Sequence, residues 1–241
     1  MPKQKGQLLK AFPSANIIDI THEITPFDVG EAAFILKNGY QSFPEGTIHL
    51  APITKGEKGQ RPPFLLGILN GHYFITSDNG LLPLIASETD FQAFLLENTK
   101  DLSKEPFTEV VIPTCRKIAD EYAPEEIGEP VNDLFKPTPL HPVVKDTAIR
   151  GTVIYIDHYG NAITNVTYQE MLKFKEFKHC RINLNNGEYF EELHQDYHEV
   201  PEGEKVCLFN SSGLLEIAIN QGSAADLLGI EKDHLILIEF S

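Results

Sequence analysis

The chain has 241 residues, 41% of them hydrophobic and 23% charged, enough for one large domain or two modest ones with buried cores. Its net charge of −15 is spread as 20 acidic and 13 basic side chains over residues 1–146 and 15 and 7 over residues 147–241, so neither half carries the basic cluster that nucleic-acid binding requires. No apolar run reaches the roughly 20 residues of a bilayer span, no signal-peptide pattern opens the chain, and three scattered cysteines (Cys115, Cys180, Cys207) without a CxxC pair fit reduced thiols in a cytoplasmic protein.

In chain order, "NIIDITHEI" reads as a buried strand. Along a strand Asp19 and Glu23 share a face and His22 takes the other, so this trio is not assigned a metal. "DVGEAAFILKNGYQSF" predicts an amphipathic helix with its apolar face on Ala33, Phe34, Ile35 and Leu36, and "GTIHLAPI" predicts another strand. "PFLLGILNGHYFITSDNGLLPLIA" predicts a hairpin around Asn70-Gly71, then a helix beginning near Asp78. "VIPTCRKIADEYAP" closes the series as a helix. Strands interleaved with helices indicate an α/β domain. The following "EPVNDLFKPTPLHPVVKD" has four prolines in eighteen residues and reads as a linker or extended crossover. Beyond it come short strands, "AIRGTVIYID", "AITNVTY", "HCRINL", "KVCLFNSSGLLEIAIN" and "HLILIEF", with turn signals at Asn186-Gly187 and Glu202-Gly203. The expected architecture is an α/β N-terminal domain over residues 1–146, including the Pro-rich linker, followed by a small all-β, barrel-like C-terminal domain over residues 147–241.

Three polar clusters interrupt these elements. In "SDNG", Asp78 or Asn79 serves either as an N-cap or as part of a ligand crevice at the end of a strand. In "YIDHYGNAITN", Asp157, His158, Tyr159, Asn161 and Asn165 are more than a hairpin needs. That stretch is either a bulged turn whose Asp157 and Asn161 bond their own backbone, or a binding loop. "FNSSGLLEIAINQGSAADLLG" breaks a strand at Asn210–Gly213 and again at Asn220–Ala225. No GxSxG, HExxH, Walker or GxGxxG pattern is present.

Together, "DITHEITPFDVGEAAFIL", "YFITSDNGLL", "YIDHYGNAITN" and "NSSGLLEIAINQGSAADLLG" occur in the order and spacing of one family. From about residue 5 to the C-terminus the chain resembles the S-adenosylmethionine (SAM) hydroxide adenosyltransferases, adenosine-forming hydrolases related to the bacterial fluorinase and chlorinase. The resemblance implies an α/β domain followed by a β-barrel domain, a homotrimer, and SAM as substrate or ligand held between domains of neighbouring subunits. No cofactor and no metal is implied. It implies that Asp157 and Asn161, in the loop that also carries Tyr159, hold the methionyl amino group and the base. Ser211 stands at the serine that binds the methionine carboxylate, and Ser212 where the fluorinase has arginine. Asn220 opens the segment lining the adenine, Phe27 matches an aromatic residue over the ribose or sulfonium, and Asp78-Asn79 match the family's D-N-G.

The chain also departs from the pattern. Members begin with a strand carrying T-D-F-G, then a helix with K-G, and here Lys5-Gly6 already falls on that K-G. Either the native chain starts before Met1, or the site lacks a ribose anchor and the sheet a strand. The family's catalytic Asp, Arg and His align with Thr54, Arg61 and Thr108. A threonine hydroxyl orients water but is no base near neutral pH, which leaves Asp78, Glu109 and His49 as alternative bases. Three functions stay open: SAM hydrolysis, SAM or adenosine binding without turnover, and a scaffold alone.

Overall fold

The structure, a computed structural model, describes residues 2–52, 62–87, 89–96, 105–175, 177, 179–184 and 187–240. The chain divides into two units, Met1–Thr138 and Pro139–Ser241. Among the described residues no helix is long and apolar enough to cross a membrane.

The first unit contains α1 (Pro2–Ala11), α2 (Val29–Gly39), β1 (Ile48–Ala51), β2 (Phe64–Leu69), β3 (His72–Ser77), α3 (Leu81–Ala86), β4 (Gln92–Leu95), α4 (Ile112–Ala119), α5 (Pro124–Ile127) and β5 (Glu129–Pro130). Asn70 and Gly71 both have positive φ, 49° and 75°, the backbone that lets a two-residue turn follow strand twist. They close the β2–β3 hairpin in the expected place. The sheet order is β1-β3-β2-β4-β5, with β1 parallel to β3 and the other pairs antiparallel. Side chains alternate across it. Leu65, Leu69 and Phe74 pack with Ala32 and Leu36 of α2 and Leu82 and Ile85 of α3. Leu66, Ile75 and Phe94 pack on the other face with Cys115 of α4, Ile127 of α5 and Leu8 of α1. Of the predicted α2 face, Ala33 and Leu36 are buried while Phe34 and Ile35 are half-buried, and Val29 and Ala32 complete the stripe. A wider π-type turn, Phe107–Val111, precedes α4. Pro113 explains it, because its missing N–H removes one regular helix bond to the preceding turn.

The strand expected at "NIIDITHEI" does not form: the segment has no strand pairing among the described residues, and Ile18 and Ile20 are exposed. Local side-chain bonds compete with extension there. Thr21 Oγ1 accepts from Glu23 N at 3.0 Å, and Lys5 pairs with Asp19. Asp19 and His22 therefore do not take opposite faces; His22 Nε2 lies 3.2 Å from Asp19 Oδ1. The helix expected near Asp78 starts later, at Leu81, because Gly80 has φ +90° and belongs to the turn.

The second unit contains β6 (Val143–Lys145), β7 (Ala148–Ile156), β8 (Ala162–Thr167), α6 (Tyr168–Met171), β9 (Cys180–Leu184), β10 (Tyr189–Phe190), β11 (Lys205–Phe209), β12 (Leu214–Ile219), α7 (Ala224–Leu228) and β13 (Leu235–Phe240). Its strands run in the order β10-β9-β13-β7-β8-β12-β11, with β6 on β7, and every pair is antiparallel. The result is a nearly closed, barrel-like sheet, the all-β unit that short strands and turn signals predict. β6 lies inside the Pro-rich stretch and uses the β7 edge where no proline interrupts. β7 joins the two halves of the barrel, pairing with β13 over Ala148–Thr152 and with β8 from Val153 onward. Ile149, Val153, Ala162, Val166, Ile182, Leu215, Ile217 and Ile236 fill the interior. All three cysteines are buried and free; burial pushes Cys115 up to about 12 and Cys180 to about 11.

One buried pair makes the first unit sensitive to acid. His49 Nε2 lies 3.2 Å from His72 Nδ1, and the His49 ring stacks on Phe74 at 4.9 Å between centroids. Burial, and then the His72 charge, hold His49 down to about 4 against its ordinary 6.5. A depressed histidine favours the unfolded chain as soon as the unfolded imidazole protonates. Its stability contribution is thus complete above pH 6.5 and lost as pH falls towards 4, on the order of 2–3 kcal/mol in all. Denaturant titrations at pH 7.5, 6, 5 and 4.5 are expected to show this loss in the native chain and a shallower slope in His49→Phe. An equal slope in both would rule His49 out as its source.

Candidate functional site

The pairing of β8 with β12 sets the geography of the second unit. Ile217 lies opposite Ala162 and Leu214 opposite Thr167. Asn220 therefore sits at the end where the 157–161 loop leaves β8, and Ser211-Ser212 sit at the other end. β12, six residues long, runs between the two groups.

At the first end the Asp157 carboxylate organises its own loop. Its Oδ1 accepts from Tyr159 N at 2.8 Å and Asn161 N at 2.9 Å, and its Oδ2 accepts from Asn161 Nδ2 at 3.0 Å. Asp157 N also donates to Asn161 O and Gly160 N to Asp157 O, each at 3.0 Å. Asp157 is half-buried, Asn161 buried, and Tyr159 76% exposed, its ring edge-on to that of His158 at 6.1 Å between centroids. Gly160 has φ +81°, and a Cβ there would lie 2.1 Å from Ser223 Oγ. Its carbonyl accepts from Ala225 N at 2.8 Å, so the loop is clamped on the start of α7. Asn165, also singled out by sequence, is structural: its Oδ1 accepts from Thr152 N and its Nδ2 donates to Leu140 O, both at 2.8 Å. Asn220 Nδ2 donates to Val200 O at 2.8 Å.

At the far end Asn210 Oδ1 accepts from Ser212 N at 3.0 Å and Leu214 N at 3.2 Å. Ser211 and Ser212 are exposed at the tip of that turn. Behind it is a group that sequence reasoning missed. Glu216, 3% exposed, accepts from Asn210 Nδ2 at 3.1 Å through Oε2 and from the Tyr197 hydroxyl through Oε1. Burial first, then the Glu216 hydrogen bond and charge, with smaller effects of Asp157 and Asp196, push the Tyr197 phenol up, so it stays a donor. The available signal was an acid in the apolar run "LLEIAI", where the strand has no free face for a solvated charge.

In the first unit, Asp28 N donates to Thr25 O at 3.0 Å, which closes a turn with Pro26 and Phe27 at its centre. Phe27 has φ +68°, at the position of such a turn that favours Gly or Asn, and its ring is 65% exposed. The strain is about 1 kcal/mol. Asp78 is half-buried, and its Oδ1 accepts from Phe135 N at 3.1 Å, not from the helix that follows. Asn79 Oδ1 accepts from Leu81 N at 3.1 Å and supplies the cap-like bond. Ser77 Oγ is buried beside them with no partner among the described residues. Thr108 is exposed on the π-type turn, where its Oγ1 accepts from Gln7 Nε2 at 3.1 Å and lies 3.5 Å from Glu105 Oε2. Thr54 and Arg61 lie outside the described residues. Of the alternative bases, His49 is buried among rings, Glu109 is exposed, and Asp78 stands at the carboxyl end of β3. Among the described residues no group of three or more His, Cys, Asp and Glu is arranged to hold a metal ion.

An (R)-S-adenosyl-L-methionine hydrolase of Thermus thermophilus is 28% identical over 243 residues, covering 95% of this chain and 89% of that protein. A fluorinase of Actinoplanes sp. is 28% identical over 203 residues, covering 70% and 67%. The crystal structure of an uncharacterized conserved protein from Thermotoga maritima superposes with a TM-score of 0.85 at 26% identity, covering 98% of this chain and 93% of that one. The model of the SAM hydroxide adenosyltransferase N-terminal domain matches residues 1–128, and that of the C-terminal domain matches residues 151–236. The chain belongs to the SAM hydroxide adenosyltransferase family.

Proposed function

We propose that this chain binds S-adenosylmethionine and cleaves it with water to adenosine and methionine. The reading rests on one observation: in a member of this family, the half-buried Asp157 carboxylate is held in place by its own loop beside buried Asn161. A fixed carboxylate attracts both the ammonium and the sulfonium of such a ligand, and more strongly than in water because the site is partly dry. The hydroxyls of Ser211 and Ser212 suit the carboxylate of the same methionyl group.

In the reaction, a water oxygen bonds to the ribose carbon attached to sulfur while the carbon–sulfur bond breaks. The electron pair stays on sulfur, which leaves as the neutral thioether of methionine, and one proton is released. We assign that proton to Asp78, because His49 is buried against rings and Glu109 faces solvent on the turn. A second reading, binding without turnover, draws support from Thr108, whose hydroxyl is engaged by Gln7 and near Glu105. We also propose a homotrimer with ligand sites at subunit interfaces, in the cytoplasm.

Calorimetric titration with SAM and with adenosine, followed by chromatography of the same samples, tests the proposal. Binding with release of adenosine is expected, with Asp157→Ala weakening SAM at least tenfold and Asp78→Asn binding SAM but releasing at least tenfold less adenosine. Binding without release establishes the second reading, and no binding by the native chain refutes both. Phe27→Gly is expected to raise stability by about 1 kcal/mol, since glycine relieves the positive φ, while weakening adenosine about fivefold. A loss of stability in that variant would show instead that the ring is packed. Light scattering is expected to give three times the 27.0 kDa chain mass, and a monomer would refute the trimer.

A further inference from the structure

Glu216 carries no role in the reaction proposed above, yet it lies buried in the middle of the strand that joins the two polar ends of the site. On β12, Glu216, Ala218 and Asn220 share one face, and Leu215 and Ile217 turn to the barrel interior. The polar face is covered by the segment around Tyr197 and Val200, which packs on Val206, Leu208 and Ala218. Two side chains of this face hold that cover: Glu216 accepts from Tyr197, and Asn220 donates to Val200 O. Glu216 also reaches the other way, to Asn210 Nδ2. Asn210 is thereby fixed with its Oδ1 towards Ser212 N and Leu214 N. A neutral amide whose nitrogen is anchored cannot turn over, so its oxygen keeps facing the turn.

We infer that Glu216 is a positioning residue of the ligand site, holding Asn210 so that Asn210 fixes the Ser211–Ser212 turn. The inference rests on the reading of that turn as part of the SAM site. Tyr197 is the second support of the same group, and its phenol stays protonated beside Glu216. The arrangement is directional: the buried residue does not touch the ligand, it sets which way the exposed hydroxyls are carried. Loss of the anchor therefore acts on the Ser211–Ser212 turn and leaves the internal hydrogen bonds of the Asp157 loop as they were.

The informative variant is the double substitution Glu216→Leu with Tyr197→Phe. It removes the buried acid and its phenol partner together, so no phenol is stranded, while the half-buried Asn210 amide loses its anchor. Amide hydrogen exchange of the free protein is expected to quicken at least tenfold at Ser212 and Leu214, with less than threefold change at Ile217 in the middle of β12. SAM affinity is expected to fall about tenfold and adenosine affinity less than threefold. Glu216→Gln keeps an oxygen for Asn210 and is expected to stay within threefold of the native protein in both measurements. Unchanged exchange at Ser212 and Leu214 in the folded double variant overturns the inference. So does exchange that rises equally across β12, which marks general loosening. Should the double variant fail to fold, the same exchange measurement on Glu216→Gln with Tyr197→Phe and on Asn210→Ala decides: the inference requires slow amides in the first and fast ones in the second. If the native chain binds no SAM, the functional reading fails while the exchange result still accepts or rejects the anchor.

Discussion

The antiparallel pairing of β8 with β12 is the constraint on which the polar architecture of the second unit depends. Register decides that Asn220 ends beside the 157–161 loop and that Ser211 and Ser212 end a strand-length away. A shift of one residue would turn Leu215 and Ile217 out of the core and drive Glu216 into it. The penalty for that exchange is large, because a buried acid facing only hydrocarbon has no partners. Packing of the apolar face thus locks the polar face, so hydrophobic burial decides which residues of β12 face the 197–200 cover.

The loops at those ends share a design in which an Asx side chain satisfies the turn that carries it. Asp157 accepts three bonds from its own loop, and Asn210 accepts two from its own turn. Read from sequence, a turn that bonds itself and a loop that binds something are alternatives. In the structure the first condition is met, and it is the one a rigid binding loop also needs. A carboxylate held by two backbone amides and a side-chain amide loses little further freedom when a cation arrives. The Gly160–Ser223 contact adds to this, since only a residue without Cβ lets the loop settle on α7.

How much of this was legible in the sequence follows from how local each signal is. Asn70-Gly71 dictates its hairpin by backbone conformation alone, and the short apolar runs of β7, β8, β12 and β13 between turn residues report burial directly, so these elements stand where the sequence puts them. The "NIIDITHEI" segment has the same apolar texture but, among the described residues, no strand beside it, and strand formation needs a partner that composition does not supply. β6 hides in a proline-rich stretch because Val143–Lys145 is short and is stabilised by β7, not by its own pattern. The polar loops were visible as excess side-chain chemistry for their length. The Tyr197–Glu216–Asn210 chain was not, because its members lie in three separate segments and meet only when β12 pairs and the 197–200 cover closes.

A site of this kind suits a reaction whose substrate carries its own driving force. A sulfonium already holds the positive charge that makes its sulfur leave, so the protein has no leaving group to protonate and little charge to create. What remains is to exclude bulk water, hold the extended ligand straight, and keep a negative group near the cation. In the second unit a self-supported carboxylate stands at one end of β12 and the Asn210 turn at the other. The first unit presents Phe27 in a strained turn, and strain of that kind persists where the surrounding chain overdetermines it, here through Asp28 capping α2 and Glu31 accepting from Thr25 N.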